Sequence, residues 1–143
     1  MSETDVFGCT GLHYAALEDD ASRLGEAIAA GAEVSLRDHD RMTPLHFAAQ
    51  EHSLAAAREL IGAGAEIDAQ DHNGNTPLST AVFESRGRTD MIALLREHGA
   101  DPMLVNHHGQ TPHGLAKLMG AEELFSDPVE PNAPQASTKN SST

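Results

Sequence analysis

Short apolar runs return at a fixed interval along this chain, each preceded by a threonine. Leu45-His46-Phe47-Ala48-Ala49 is matched 33 residues earlier by Leu12-His13-Tyr14-Ala15-Ala16, and Leu78 stands 33 residues later. A fourth copy of the start follows after 35 residues, and the four threonines are Thr10, Thr43, Thr76 and Thr111. A threonine at the N-cap accepts a hydrogen bond from the first helical turn, and a proline after it presets φ. The pattern therefore predicts four short inner helices, which should end near Glu18, Glu51, Glu84 and Met119.

A second helix is predicted after each of the first three. These outer helices should cover roughly residues 21–30, 53–63 and 89–98, and each is followed by Gly-Ala. Glycine takes the left-handed conformation that ends a helix. Before each threonine, an Asp or Asn and in most copies a Gly predict a tight turn that projects as a finger. Arg41 stands where the other copies have glycine, so a positive φ there would cost about 1 kcal/mol.

The third and fourth copies depart from this pattern. Thr76 lies 23 residues before its Gly-Ala, against 21 in the first two copies, which places an insertion near residues 84–88. That loop holds two of the nine basic residues, and we favour a tolerated surface insertion over a recognition loop. The fourth copy has room only for a stub of a second helix at 121–125, as expected of a C-terminal cap. Residues 126–143 are almost free of apolar side chains and should form a disordered tail.

A period of 33 residues that carries Thr-Pro-Leu-His-x-Ala, as at residues 43–48, is the signature of the ankyrin repeat. The chain resembles this family over about residues 5–125. The resemblance implies an all-α, ankyrin-repeat solenoid of helix-turn-helix units with β-turn or hairpin fingers, with repeats at about 5–37, 38–70, 71–105 and 106–125. It also implies that His13 and His46 bond to their cap threonines and tie neighbouring repeats together. Fingers and inner helices would line a concave face that grips a partner protein.

Composition indicates the cellular compartment and the residue types that form the core. Among 143 residues, 39% are hydrophobic, with one Tyr, four Phe and no Trp, so the core should consist of Ala, Leu, Ile and Met. The single Cys9 cannot form an internal disulfide, which fits a reducing compartment. No signal-peptide pattern follows Met1, and no apolar run approaches the roughly 20 residues that span a bilayer. We expect a cytoplasmic protein.

Charge indicates the kind of partner. Nine Lys and Arg against 22 Asp and Glu give a formal net charge of -13. Such a field repels nucleic acid and anionic lipid and attracts basic proteins. The alternative is that the acidity serves only solubility. We expect a monomer that binds another protein with a basic surface, and neither nucleic acid nor a membrane.

Nine histidines raise the question of metal or catalytic chemistry. His39, His72 and His107 hold the same place on successive fingers, where helix packing would set them about 10 Å apart. Zinc ligands must all lie about 2.0 Å from one ion, so this row predicts no shared metal site. A pH-sensitive contact stays open. No catalytic motif is present and Cys9 has no base assigned to it, so we expect neither an enzyme nor a cofactor.

Two further rows indicate binding. Glu18, Glu51 and Glu84 all stand eight positions after a cap threonine, where an acid opposes the helix dipole. Their recurrence suggests a use, although inheritance from one ancestral repeat would also explain it. Phe7, Met42 and Phe83 are expected as exposed apolar anchors, with Phe83 as ordinary core the alternative. The predicted partner-binding residues are Phe7, Leu17, Glu18, His39, Asp40, Met42, Gln50, Glu51, His72, Asn73, Asn75, Phe83, Glu84, His107 and His108.

These observations favour a non-catalytic protein–protein interaction module that binds a basic partner on an acidic concave face. A narrower alternative comes from resemblance, because small stand-alone ankyrin proteins look like bacterial ones, some of which are cytoplasmic immunity proteins or inhibitors that neutralise a toxic effector enzyme. Two other classes remain: a regulator that responds to metal or pH through its histidines, and a passive scaffold that links two partners.

Overall fold

The computed structural model describes Gly8 and residues 10–125. In that part of the chain it has seven α-helices and a closing 3-10 helix, Glu122–Phe125. The α-helices are α1 (Gly11–Leu17), α2 (Ala21–Ala29), α3 (Pro44–Glu51), α4 (Leu54–Gly62), α5 (Pro77–Phe83), α6 (Asp90–Glu97) and α7 (Pro112–Leu118). Phe7, Cys9 and the expected tail at 126–143 lie outside the described residues. The all-α class and the stub of a last helix are confirmed.

The inner helices α1, α3, α5 and α7 begin at the threonines that the sequence indicates. The Thr43 hydroxyl accepts a hydrogen bond from the His46 amide, while the Thr43 amide donates to Nδ1 of His46 at 3.1 Å. This reciprocal capping box satisfies two amides that the first helical turn leaves open. Thr10 and His13 repeat the arrangement at α1.

The outer helices end as the Gly-Ala pairs predict. Gly31, Gly64 and Gly99 follow α2, α4 and α6 with φ of 94°, 92° and 93°. In the third repeat the loop between helices is longer, and Arg86 and Gly87 carry it through positive φ. Arg88 closes this loop by donating from its guanidinium to the Glu84 carbonyl oxygen at 2.9 Å. One of the two loop arginines is therefore engaged in holding the insertion itself.

Stacking buries a continuous core. α1 packs on α3, α3 on α5 and α5 on α7, and each of the first three inner helices also packs on the outer helix that follows it. Leu45 and Leu60 are fully buried within this stack, together with alanines such as Ala48 and Ala81. Small side chains let the short inner helices approach closely. The expected core of Ala, Leu, Ile and Met is confirmed, with Val82 in addition.

The fingers are tight turns, each built on one acidic or amide side chain. Asp38 Oδ1 accepts hydrogen bonds from the Asp40 and Met42 amides, both at 2.9 Å, while the Arg41 amide donates to the Asp38 carbonyl oxygen. Asp71 and Asn106 make the same bonds in the next two fingers. Arg41 has a φ of 63°, so the strain of about 1 kcal/mol expected from its sequence position is present.

None of the helices in the described part of the chain is long and apolar enough to cross a membrane.

Candidate functional site

The last turns of the inner helices form a row of equivalent positions with changing exposure. Leu17 and Gln50 are half-buried, whereas Phe83 is 64% exposed and Leu118 is 73% exposed. Phe83 is therefore not an ordinary core residue, and that alternative is wrong. Apolar exposure on this row increases toward the third and fourth repeats.

Met42 differs from the sequence expectation. Its side chain is half-buried, so it is not the exposed anchor that its finger position suggested. Its main chain links two repeats, because Nε2 of His13 donates to the Met42 carbonyl oxygen at 3.1 Å. Phe7, the third expected anchor, lies outside the described residues.

A concavity of about 280 Å³ lies between the third and fourth repeats. It brings the finger residues Asn73, Asn75 and His108 together with Phe83, all four of them predicted from the sequence. The lining residues absent from the prediction are Ser79, Thr80, Asn106, Gln110 and Leu115. Gln110 and Asn75 share a repeat position, so the period itself was the signal that could have identified Gln110.

The predicted acidic row is placed at the ends of the inner helices. Glu18 and Glu84 are the C-cap residues of α1 and α5, and Glu51 is the last residue of α3. Glu18 and Glu51 are exposed and Glu84 is half-buried. An ion pair joins Glu18 to Arg23 at 3.8 Å, but both side chains are largely solvated, so the pair contributes little. The negative charge of the carboxylates on this row is therefore largely uncompensated among the described residues and can act on a partner.

The finger histidines have a structural role that sequence reasoning missed. Nδ1 of His72 lies 3.3 Å from the Asp40 carbonyl oxygen, and Nδ1 of His107 lies 3.0 Å from that of His72. Because a carbonyl oxygen can only accept, each Nδ1 carries the proton and donates. Backbone bonds run in parallel, since the His72 amide also donates to the Asp40 carbonyl oxygen at 3.0 Å. These rings therefore fasten one finger to the next.

Two of the finger histidines, His39 and His107, pack closely against a glycine on the neighbouring finger, whereas the finger beside His72 has Arg41 at that position. A Cβ added to Gly74 would lie 2.8 Å from Cδ2 of His107, and one added to Gly8 would lie 2.5 Å from Cδ2 of His39. Within residues 10–125 and Gly8, no group of three or more His, Cys, Asp or Glu side chains is arranged to hold a metal ion.

His13 and His46 act as the resemblance implied, bonding to their cap threonines and to the next repeat. Nε2 of His46 donates to the Asn75 carbonyl oxygen at 2.9 Å, while Nδ1 accepts from Thr43. Burial lowers the pKa of His46, with the hydrogen bond to Asn75 and the charge of Asp71 opposing the shift. Burial likewise lowers the pKa of His52, whose ring bonds to the Ala81 carbonyl oxygen. Both imidazoles are therefore neutral near pH 7.

Other polar links between repeats were not predicted from the sequence. Arg37 donates to the Gln70 carbonyl oxygen at 2.8 Å, and Gln70 donates to the Val105 carbonyl oxygen at 3.2 Å. Arg37 and Gln70 are 33 residues apart and hold the same position in their repeats. At that position, a guanidinium in one repeat and an amide in the next each donate to a carbonyl oxygen of the following repeat. The Asp19 carboxylate accepts from the Ala56 amide at 2.9 Å and connects the turn after α1 to the first turn of α4. These contacts fix the fingers and inner helices relative to one another.

Comparison with known proteins agrees with this architecture. A family model described as Ankyrin repeats (3 copies) matches residues 12–106. No curated protein matches the chain. Ankyrin repeats generally serve as protein–protein interaction modules and are typically non-catalytic. With three matched repeats and stacked pairs of helices joined by turn fingers, the chain belongs to the ankyrin-repeat family.

Proposed function

We propose that this chain is a non-catalytic binding module for a protein with a basic surface. The groove face is the surface made by the finger turns 38–42, 71–75 and 106–110 and by the inner-helix ends at 17–18, 50–51 and 83–84. The observation that carries this proposal is the acidic row Glu18, Glu51 and Glu84. One of these glutamates occurs in every full repeat, and each is at least partly open to solvent. We expect the partner to lie against this face.

The distribution of cations and acids in the described residues supports a negative groove face. Several of the cations are engaged by internal contacts: Arg37 binds Glu66 and backbone oxygens, Arg88 holds its own loop, and Arg96 lies 5.4 Å over the Phe125 ring. Among the finger turns and inner helices, the exposed cations are Arg41 and Lys117. The acids that are exposed or half-buried on these elements and at their ends, Glu18, Asp40, Glu51 and Glu84, outnumber them, and Asp38 and Asp71 are buried in the fingers.

Such a face would act mainly through attraction that speeds encounter. Charges on exposed carboxylates reach about 10 Å into solvent at 0.1 M salt and are screened beyond that distance. The fingers are already held by inter-repeat hydrogen bonds such as that from His107 to Asn73 at 2.9 Å. A partner would therefore meet a surface that is ordered before binding, which lowers the entropy lost on association.

Reversal of the acidic row should weaken binding in a salt-dependent way. The variant Glu18→Lys/Glu51→Lys/Glu84→Lys and the wild type are used as baits in cell extract, and recovered proteins are quantified by mass spectrometry. We expect partner recovery to fall at least about tenfold at low salt, because three surface charge pairs with the partner of roughly 0.5 to 1 kcal/mol each are inverted. At high salt the two baits should differ much less.

The matched control carries the same charge change on the outer helices, as Glu26→Lys/Glu59→Lys/Glu97→Lys. All three of these glutamates are exposed, on α2, α4 and α6. Partner recovery by this control should stay near the wild-type level. Equal losses for both variants would place the binding surface elsewhere, and a loss that does not depend on salt would remove the electrostatic part of the proposal.

A further inference from the structure

The concavity between the third and fourth repeats has an apolar part that includes an exposed aromatic ring. Phe83 and Leu115 line it, and Leu118 lies on the same helix as Leu115, one turn further along. In the second repeat the position of Phe83 is occupied by Gln50, which is polar and half-buried. An exposed aromatic ring beside a concave surface is a feature of binding sites and is costly to leave in water.

Side-chain amides also line the concavity. Asn106 is committed to its own finger, since its Oδ1 accepts from the His108 and Gln110 amides and its Nδ2 donates to Asn75 Oδ1 at 2.8 Å. Within the described residues, the side-chain amides of Asn73 and Gln110 make no such contact. A primary amide both donates and accepts, which matches the N–H and C=O groups of an extended peptide.

The volume of the concavity and the charge of its lining residues limit the kind of group that it can bind. A volume of about 280 Å³ falls just below the usual range of pockets for small molecules and cofactors, which begins at about 300 Å³, and suits one large side chain. The nine lining residues include no Asp, Glu, Lys or Arg, so the interior favours an uncharged group. Glu84 follows Phe83 directly at the end of α5, and Arg88 bonds to its carbonyl oxygen rather than to its carboxylate, so a carboxylate stands beside the apolar ring along the chain.

We propose that this concavity binds one large apolar side chain from an extended segment of the partner protein. A Lys or Arg close to that side chain in the partner would face Glu84, and the amides of Asn73 and Gln110 would bind the segment's main chain. The inference rests on the proposed function, and it names the sequence feature that the partner carries: a Leu, Met or Phe beside a basic residue.

The test uses a phage-displayed library of random short peptides selected on the full-length chain. Selected peptides are synthesised, and their affinities are measured by fluorescence anisotropy. We expect enrichment of a Leu, Met or Phe within a few positions of Lys or Arg. The variant Phe83→Gln, which introduces the residue of the second repeat, should bind these peptides at least about tenfold more weakly than the wild type does. Peptides with Ala at the apolar position should bind Phe83→Gln and the wild type with nearly equal affinity, because the contact is already absent.

Two variants guard against an effect on folding. Met103→Gln removes an apolar side chain of similar exposure, 59%, at a position that does not line the concavity, and should bind like the wild type. Leu118→Gln changes another exposed apolar residue that does not line the concavity and should also bind like the wild type. Thermal unfolding of all three variants should match the wild type, because each replaced side chain is mostly in solvent.

Three outcomes would overturn the inference. Selection of peptides rich only in Lys and Arg, weakened by reversal of the acidic row but not by Phe83→Gln, would leave the proposed function standing and remove the concavity from it. Peptides that bind the wild type, the Phe83 variant and the acidic-row variant equally would contradict both proposals. Concentration-dependent dimers in analytical ultracentrifugation that disappear in Phe83→Gln would identify a second copy of this chain as the occupant.

Discussion

Replacing Leu45 with alanine is expected to lower the free energy of unfolding by about 2 to 5 kcal/mol. Leu45 is 1% exposed on α3, which packs against α1 on one side and α5 on the other. Truncation leaves a cavity where two repeat interfaces meet, and a domain of this size has only about 5 to 15 kcal/mol of total stability. Urea denaturation followed by circular dichroism at 222 nm measures the loss through the transition midpoint.

The same substitution at the end of the stack provides the control. Leu12 holds the equivalent place on α1 and is equally buried, but α1 has an inner-helix neighbour only on the side of α3 among the described elements. Because repeat stability is a sum of repeat and nearest-neighbour terms, Leu12→Ala should fray the first repeat and cost less overall. A loss at Leu12 equal to or larger than that at Leu45 would contradict the stacking account.

His46→Ala is expected to cost about 3 kcal/mol. The imidazole bonds to the Thr43 amide, lies 3.0 Å from the Thr43 hydroxyl and donates to the Asn75 carbonyl oxygen. Removal leaves the buried Thr43 amide without its partner, at about 1 to 3 kcal/mol. It also removes one of two hydrogen bonds to the Asn75 carbonyl oxygen, which still accepts from the Asp71 amide, at about 1 kcal/mol. The exposed His98→Ala serves as control and should change stability by no more than about 0.5 kcal/mol. Equal effects of the two substitutions would show that His46 is not a structural link.

The stability that His46 contributes should also depend on pH. Burial lowers the pKa of His46 below that of the unfolded chain, so the unfolded state binds more protons once the pH drops below about 6.5. The contribution of neutral His46 is therefore complete above that pH and is lost on acidification, by up to about 1.4 kcal/mol per pH unit. Carboxylates titrate in both proteins, so the difference between wild type and His46→Ala isolates this group. A difference that grows as the pH falls would contradict the assignment.

Helix boundaries were predictable because their signals are local. The threonine caps and the Gly-Ala stops act within one turn of the backbone, so Thr43 and Gly64 specify their helix ends without reference to other repeats. Bonds between repeats depend on stacking geometry instead. The ring of His72 reaches the Asp40 carbonyl oxygen only when two fingers lie side by side. This contact is not visible in the sequence of one repeat, so the sequence predicted only a binding role for these histidines.

The candidate site was predictable to the extent that the repeat period applies to it. Position within the repeat identified Phe83 as a candidate on the groove face. Met42 failed as an exposed anchor because it lies where one finger meets the helix of the preceding repeat. Leu115 escaped notice because its approach to Phe83 results from the packing of α5 on α7, which joins residues 32 positions apart.

The proposed binding mode depends most on where the partner lies on the chain. Amide hydrogen–deuterium exchange of the full chain, alone and with the captured partner, tests this directly. We predict slower exchange on binding in the finger turns 71–75 and 106–110 and in the last turns of α3 and α5, with α2, α4 and α6 unchanged. Slower exchange confined to those three outer helices would contradict the groove face as the binding surface.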